Sequence, residues 1–329
     1  MKNMNPILSA IIDTTETLNS APDDYIDPSD GLKYCGKCHT PKEAFYPADL
    51  QNQGFHKHPV MCQCAAEKRD REEAERRDFE RMTRITTLRS EAFRDIPAAG
   101  WRFDHAVVTP QLAKAKEYAA NWDSFKQDGI GLLLFGDVGT GKSYAAGCIA
   151  NALIDRMESV LFVGMADVVN RMQGNFGADR DRYIKSLMRP DLLILDDLGS
   201  ERSTSFGKER VFDVVNRMQG NFGSDRDHYM KSLMRPDLLI LDDLGAERNT
   251  SFGKERVFDV VDKRLLTGKP MIVTTNIPLS VMKQAADLDD RRIFDRILEV
   301  CVPIRFDGEN FRKGNASANI KKAAEMLNG

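Results

Sequence analysis

The chain has 329 residues, of which 42% are hydrophobic and 29% charged, and a net charge of −3 at neutral pH. This composition excludes a wholly disordered chain and a globally basic surface for nucleic acid, and the length allows two domains. The longest apolar stretches are far shorter than the roughly 20 residues that span a bilayer, and the N-terminus is a poor secretory signal. We therefore expect a cytoplasmic protein without a membrane partner.

Composition divides the chain into four segments. Residues 1–30 are acidic and contain prolines, which predicts a flexible N-terminal segment, with a docking peptide as the alternative. A small cysteine-containing module follows at 31–66, then a charged helical connector at 67–97 and a large domain at 98–329. Fourteen of the residues in 67–84 are charged, seven of each sign, and many lie at i,i+4 spacing, which favours a solvated helix.

The cysteine module has the spacing of a metal site. Its cysteines form C-x2-C followed by C-x-C, and they are Cys35, Cys38, Cys62 and Cys64. Two thiolate pairs suit one tetrahedral Zn²⁺, and a segment of 36 residues has too little core to fold alone. We expect a structural zinc here, with four unrelated thiols as the alternative. Three histidines lie near enough to replace a ligand: His39, His56 and His58.

From about residue 98 the pattern changes to short apolar runs separated by helical patterns. The runs lie at 131–135, 160–163, 192–195, 238–241, 271–274 and 300–304. Buried apolar strands that alternate with helices predict βαβ units and a mostly parallel sheet. The predicted fold class is therefore α/β.

Residues 136–143 read GDVGTGKS and fit the phosphate-loop pattern G-x-x-x-x-G-K-[ST], between a strand and a helix. Its glycines let backbone N–H groups turn toward phosphate oxygens. Lys142 would bring a charge to the β- and γ-phosphates, and Ser143 would offer a hydroxyl to Mg²⁺. We expect ATP and Mg²⁺ at a site formed by Gly136, Asp137, Val138, Gly139, Thr140, Gly141, Lys142 and Ser143.

A nucleotide site also needs acids at the end of a neighbouring strand, and the segment RPDLLILDDLG supplies them twice. Its copies end in Asp196–Asp197 and Asp242–Asp243. In each pair the first aspartate would hold Mg²⁺ and the second would polarise the attacking water. The recurrence belongs to a tandem duplication in which residues 167–212 and 213–258 differ at five of 46 positions.

Two further candidates lie toward the C-terminus. Asn276 follows an apolar strand, where it would either orient the lytic water or simply cap the strand. Arg292 and Arg296 share one face of a predicted helix. They would form either a solvated basic face or an arginine finger that reaches the nucleotide of a neighbouring subunit.

Taken in order, five motifs resemble the DnaC/IstB-type branch of the AAA+ ATPases, and most closely the phage and prophage DnaC-like helicase loaders. The motifs are GDVGTGKS, LLILDDLG, IVTTN, RRIFDRILEVC and PIRFDGENFRK. The resemblance covers about residues 98–313, and such proteins often carry a cysteine module and a charged helix in front. It implies a P-loop AAA+ core, and ATP-dependent loading of a hexameric DnaB-type replicative helicase onto single-stranded DNA. It also implies a homo-oligomeric ring or spiral with ATP at the interfaces.

By matching position, the resemblance assigns Lys142 and Ser143 to the nucleotide and Mg²⁺, Asn276 to a sensor role, and Arg296 in preference to Arg292 to the finger. The second acid is aspartate where AAA+ proteins usually have glutamate, and its shorter reach suggests slow, switch-like hydrolysis. The duplication is not part of the family's pattern. Two alternatives remain open: a transposase-helper ATPase of the IstB kind, and a non-hydrolysing adaptor that only binds helicase or DNA.

In this branch of ATPases the acid-bearing strand lies beside the strand that ends in Asn276. Burial of both duplicated strands is simplest if the sheet gains one parallel strand. The second copy leads directly into the strand at 271–274, so we expect it to keep the inner position and Asp242–Asp243 to be the working pair. The first copy would lie about 4.8 Å farther out. In the rival arrangement the second copy is extruded as a surface insertion, which would expose an apolar strand.

Overall fold

The computed structural model describes residues 21–51, 56–94, 96–164, 178–196, 233–245, 251–308, 310–311 and 325–326. The chain forms two compact units, Met1–Thr83 and Arg84–Gly329. Within the described ranges, no helix is both long and apolar enough to cross a bilayer.

The N-terminal unit contains two small antiparallel sheets. In one, β1 (Tyr25–Ile26) pairs with β2 (Lys33–Tyr34), and in the other, β3 (Glu43–Phe45) pairs with β4 (Lys57–Pro59). A single helical turn, α1 (Ala48–Gln51), lies between β3 and β4. Such short strands bury little apolar surface and need a further source of stability.

Ordered structure begins earlier than the predicted boundary at residue 30. Residues 1–20 lie outside the described part of the chain, whereas β1 lies within the segment expected to be flexible. The buried Lys42 ammonium contacts the buried Asp24 carboxylate at 2.6 Å, which ties this segment to the cysteine module. An ion pair this deeply buried has to be kept complete, because removal of one partner would leave an unpaired charge.

The helix α2 (Gln63–Phe93) changes character along its length. Its first part is charged and exposed, as expected for a solvated connector. Near its end, Ile85, Leu88, Ala92 and Phe93 are buried at helical spacing, and they belong to the apolar core of the C-terminal unit. That core therefore begins before residue 98, because an apolar stripe follows the charged run on the same helix.

The C-terminal unit is built on a six-stranded parallel sheet. Its strands are β5 (Gly131–Gly136), β6 (Val160–Gly164), β7 (Leu192–Asp196), β8 (Leu238–Leu244), β9 (Met271–Thr275) and β10 (Cys301–Phe306). Their order across the sheet is β10-β5-β9-β8-β7-β6, and every neighbouring pair is parallel. All six predicted strands are present at nearly the expected positions, which confirms the α/β class.

Helices cover both faces of this sheet. They are α3 (Pro110–Ala120), α4 (Trp122–Asp128), α5 (Lys142–Asp155), α6 (Ala178–Leu187), α7 (Ser251–Leu266), α8 (Leu279–Lys283) and α9 (Leu288–Val300). The end of α2 packs with α3, α4 and α5 on one face, and α7, α8 and α9 pack on the other. The central strands are apolar on both sides because both faces are covered.

The duplicated strands lie side by side, and this confirms the widened sheet expected from the sequence. The first copy, β7, pairs with the edge strand β6, and the second copy, β8, pairs with β9. The copies pair with each other in identical register, so that Leu192 lies opposite Leu238 and Leu195 opposite Leu241.

Different groups satisfy the polar atoms at the start of each copy. At β8 the fully buried Arg264 guanidinium donates to the carbonyls of Pro236 and Asp237 at 2.7 and 2.8 Å. Burial lowers the pKa of Arg264 to about 10. At β7 the Asp191 carboxylate instead accepts from the backbone N–H and the hydroxyl of Ser159 at 2.8 and 2.6 Å. The two copies therefore have different stabilising contacts at this point, although their sequences are identical here.

Removal of either copy should give a five-stranded sheet, because each deletion removes one complete strand together with its crossover connection. We expect chains lacking residues 167–212 or 213–258 to fold, with melting temperatures within about 5 °C of each other. Each chain is the matched control for the other, since the two products differ only at the five divergent positions. Circular dichroism and thermal unfolding measure the outcome. An unfolded product from either deletion would contradict the equivalence of the copies.

Candidate nucleotide cleft and cysteine cluster

A cleft of about 840 Å³ opens at the carboxyl ends of the central strands. Its floor contains the strand-end side chains of Asp196, Asp242, Asp243 and Thr274, and the phosphate loop forms one wall. The loop residues that line it are Val138, Gly139, Thr140, Gly141, Lys142 and Ser143. The sheet thus brings together the predicted phosphate-binding loop and both candidate acid strands.

The phosphate loop has the backbone shape that anion binding requires. Gly136, Gly139 and Gly141 have φ angles of 141°, 83° and 98°, a region that favours glycine. The Lys142 side chain is almost buried, and its ammonium donates to the carbonyls of Gly136 and Asp137 at 2.8 and 2.7 Å. The helix α5 begins at Lys142, so its positive end faces the loop.

The chain after β10 supports the loop from outside. The Asn310 side chain donates to the carbonyl of Val138 at 2.9 Å, and the Phe311 N–H donates to that of Gly139 at 3.0 Å. A Cβ on Gly139 would lie 2.2 Å from the Asn310 side-chain oxygen, so any other residue here would displace that side chain. Sequence reasoning missed Asn310 and Phe311, since no local pattern links positions so far apart in the chain.

The second acid pair occupies a bulge in a parallel strand pair. Leu241 lies opposite Val273 and Leu244 opposite Thr275, so both Asp242 and Asp243 face the single residue Thr274. The Thr274 hydroxyl donates to the Asp242 carboxylate at 2.6 Å and accepts from the Asp243 N–H at 2.8 Å. Sequence reasoning missed Thr274, although two threonines that end an apolar strand were an available signal.

The first acid pair reaches the same cleft from one strand farther out. Asp196 ends β7 and lines the cleft, directly after Leu195, which lies opposite Leu241 on β8. Asp197 lies outside the described residues. The first copy is therefore one strand position farther than the second copy from the phosphate-loop strand β5.

An apolar and aromatic wall closes the other side of the cleft. It contains Trp101 and Tyr144, whose ring centroids are 5.5 Å apart, together with Val107 and Leu112. The Tyr144 hydroxyl donates to the carbonyl of Arg102 at 3.0 Å, which fixes the ring. A polar loop opposite such a wall can bind a molecule with a phosphate group at one end and a flat apolar group at the other.

The remaining two candidates lie outside the floor of the cleft. Asn276 follows β9 and is half-buried. Arg296 lies on α9, where its guanidinium donates to Asp262 at 2.6 Å, and both it and Arg292 stack on the Phe258 ring. Among the described residues that line the cleft, none comes from α9.

The four predicted zinc ligands form a compact sulfur cluster in the N-terminal unit. The sulfurs of Cys35, Cys38, Cys62 and Cys64 all lie within 4.8 Å of one another, and that of Cys64 lies 3.6 Å from those of Cys35 and Cys62. Four thiolates about 2.3 Å from one ion would have similar mutual distances. The donor set and its spacing therefore fit Zn²⁺.

Polar groups around the cluster already favour a thiolate. Hydrogen bonding by the Thr40 hydroxyl, then by the Cys64 N–H, lowers the pKa of Cys38 to about 5. Hydrogen bonding among the thiols, with Cys38 first, raises the pKa of Cys64 to about 12. Like charges this close cannot all ionise without a compensating cation, which a dication would supply. By contrast, Cys148 and Cys301 are buried packing residues, as expected.

Several known proteins share parts of this sequence. The replicative helicase loader DnaC of Escherichia coli (strain K12) is 32% identical over 101 residues, which are 30% of this chain and 40% of that protein. An insertion sequence ATP-binding protein of Sinorhizobium fredii (strain NBRC 101917 / NGR234) is 41% identical over 93 residues, 28% of this chain and 31% of that protein. The chain thus spans less than half the length of these relatives.

The crystal structure of a DnaC helicase loader is 17% identical and covers 63% of this chain and 96% of its own, with a TM-score of 0.41. The family of IstB-like ATP-binding proteins matches residues 64–224 and 217–319, so that the match spans both copies of the duplication. The two segments together cover well over half of the sequence, and the chain belongs to the IstB-like ATP-binding protein family.

Proposed function

We propose that the protein is an ATP-dependent loader that places a hexameric DnaB-type replicative helicase onto single-stranded DNA in the cytoplasm. The observation that carries the proposal is a nucleotide cleft in a chain that is 32% identical, over 101 residues, to a replicative helicase loader. ATP in this cleft would act as a switch between states of the loader.

We propose a role for each polar group of the cleft. Gly139, Thr140 and Gly141 would bind phosphate oxygens through their backbone N–H groups. The Lys142 ammonium would give up its hydrogen bonds to the carbonyls of Gly136 and Asp137 and bind the β- and γ-phosphates instead. Ser143 and Asp242 would hold Mg²⁺, which neutralises charge on the phosphates. Asp243 would polarise the attacking water. This side chain is shorter than glutamate, so we propose slow hydrolysis.

We propose that the active form is a homo-oligomer in which Arg296 reaches the nucleotide of a neighbouring subunit. Its position on α9, away from its own cleft, supports a role in trans. The Phe258 ring and Asp262 hold the guanidinium in a defined position until a phosphate group competes for it. Asn276, at the end of β9, is the proposed sensor of the γ-phosphate.

We propose that Cys35, Cys38, Cys62 and Cys64 hold one structural Zn²⁺. Four thiolates complete a tetrahedral shell and leave no position for water, so the metal would supply folding free energy rather than catalysis.

A second candidate function is ATP-dependent assistance to a transposase. The 41% identity over 93 residues to an insertion sequence ATP-binding protein favours it. The genomic neighbourhood separates the two candidates, because a loader gene is expected beside a helicase or primase gene and a transposase helper beside a transposase gene.

In a loading assay, the protein with ATP should increase the amount of its own host's replicative helicase bound to single-stranded DNA. Lys142→Ala should lower ATP affinity by about 100-fold and abolish loading, because the phosphates lose their ammonium partner. Equilibrium binding of a fluorescent ATP analogue and helicase capture on DNA beads measure the two effects. Unchanged ATP affinity in a folded Lys142→Ala protein would contradict the nucleotide site, and loading of a transposase alone would favour the second candidate.

The acid pairs should respond unequally to neutralisation. We expect Asp242→Asn with Asp243→Asn to reduce ATP hydrolysis by at least about 100-fold, since the cleft loses its inner carboxylates. Asp196→Asn with Asp197→Asn is the matched control and should retain most of the activity. Steady-state phosphate release is the measurement, and the reverse ranking of the two variants would show that the outer copy works.

Removal of two thiolates should release the metal without affecting the distal cleft. We expect Cys62→Ser with Cys64→Ser to contain less than about 0.1 zinc per chain and to bind ATP like the parent. Metal analysis by mass spectrometry is the measurement, and Cys148→Ser, which lies outside the cluster, is the control. Full zinc content in the double variant would exclude the cluster as the zinc site.

A further inference from the structure

The two identical acid strands have different neighbours at the position that faces their first aspartate. Thr274 on β9 faces Asp242. On the outer side of the sheet, Gly164 on β6 lies opposite Asp196 and has no side chain. At this position the inner strand therefore meets a hydroxyl group, whereas the outer strand meets a glycine.

A single hydroxyl group contacts both members of the inner pair. Thr274 is 1% exposed, so its hydroxyl group has little access to water. Its hydrogen is used by the Asp242 carboxylate and its oxygen by the Asp243 N–H. A hydroxyl with both functions engaged in this way fixes the orientation of the carboxylate that it contacts.

The backbone at Asp243 is in an unfavourable conformation. Its φ angle is 58°, in the left-handed region that residues other than glycine rarely adopt. Such a conformation persists where the surrounding structure specifies it, and here the N–H of Asp243 is held by Thr274. The turn brings the Asp243 side chain, as well as that of Asp242, to the lining of the cleft.

We propose that Thr274 is a positioning residue for the second acid pair. It orients Asp242 toward the metal position and holds the left-handed turn that presents Asp243 to the attacking water. The inference rests on the proposed ATP hydrolysis at Asp242–Asp243. The second copy thus receives a contact from the neighbouring strand rather than from the duplicated sequence.

The test compares Thr274→Val, which keeps the shape and removes the hydroxyl, with Thr274→Ser, which keeps the hydroxyl. Thr274→Val should reduce kcat by about 10- to 100-fold, the loss expected for one hydrogen bond to a charged group, while the affinity for ATP changes less than about threefold. Thr274→Ser should stay within about threefold of the parent in both. Thr274→Ala provides a second hydroxyl-free variant if valine disturbs folding.

A readout independent of turnover is Mn²⁺ binding, followed by electron paramagnetic resonance in the presence of a non-hydrolysable ATP analogue. Thr274→Val should weaken it by about 10-fold, and Thr274→Ser should not. The matched control is Thr275→Val, because Thr275 is equally buried but its hydroxyl accepts from the Ile277 N–H instead. It should leave Mn²⁺ binding unchanged.

Normal hydrolysis and Mn²⁺ binding in Thr274→Val would overturn the inference. If Asp242→Asn with Asp243→Asn is inactive in the same assay, the proposed acid pair stands and only the role of Thr274 fails. If that variant is active as well, the assignment of the acid pair has failed, and the inference fails with it. Loss of Mn²⁺ binding in Thr275→Val to the same extent would also overturn the specific role of Thr274.

Discussion

The parallel pairing of β8 with β9 is the constraint on which the nucleotide cleft depends. It leaves only β9 between β8 and the phosphate-loop strand β5, and it brings Thr274 against Asp242 and Asp243. Arg264 secures the opposite end of the same strand by donating to carbonyls at its start. Both ends of β8 are therefore fixed by residues outside the duplicated segment.

The two units solve the problem of stability in different ways. The C-terminal unit buries central strands on both faces, and apolar packing alone can support it. The N-terminal unit has strands of two or three residues, and the close sulfur cluster and the buried Lys42–Asp24 pair take the place of a core. A metal bound in that cluster would supply the folding free energy that apolar burial supplies in the C-terminal unit.

Local patterns were sufficient to predict the six strands, the phosphate loop and the widened sheet, because burial and chain connectivity leave few alternatives. They were insufficient at positions that depend on contacts across the chain. The sequence predicted a flexible segment around Asp24, because no local pattern indicates that its carboxylate pairs with Lys42 later in the chain. The bulge at Asp242–Asp243 requires the register of β8 against β9, and the Asn310 contact to Val138 joins remote parts of the sequence.

The two copies of the duplication are much more alike than the chain is to its relatives. Its copies differ at five of 46 positions, whereas the chain matches the Escherichia coli helicase loader at 32% of 101 positions. The copies have therefore diverged far less from each other than the chain has from that relative. The sheet accommodates the additional strand because β7 pairs with β6 on its outer edge and β8 pairs with β9 on its inner edge. Among the described strands, the only additional pairing is that of β7 with β8, the two copies of the duplicated sequence. In this pairing each apolar residue lies opposite the equivalent residue of the other copy, from Leu192 opposite Leu238 to Leu195 opposite Leu241.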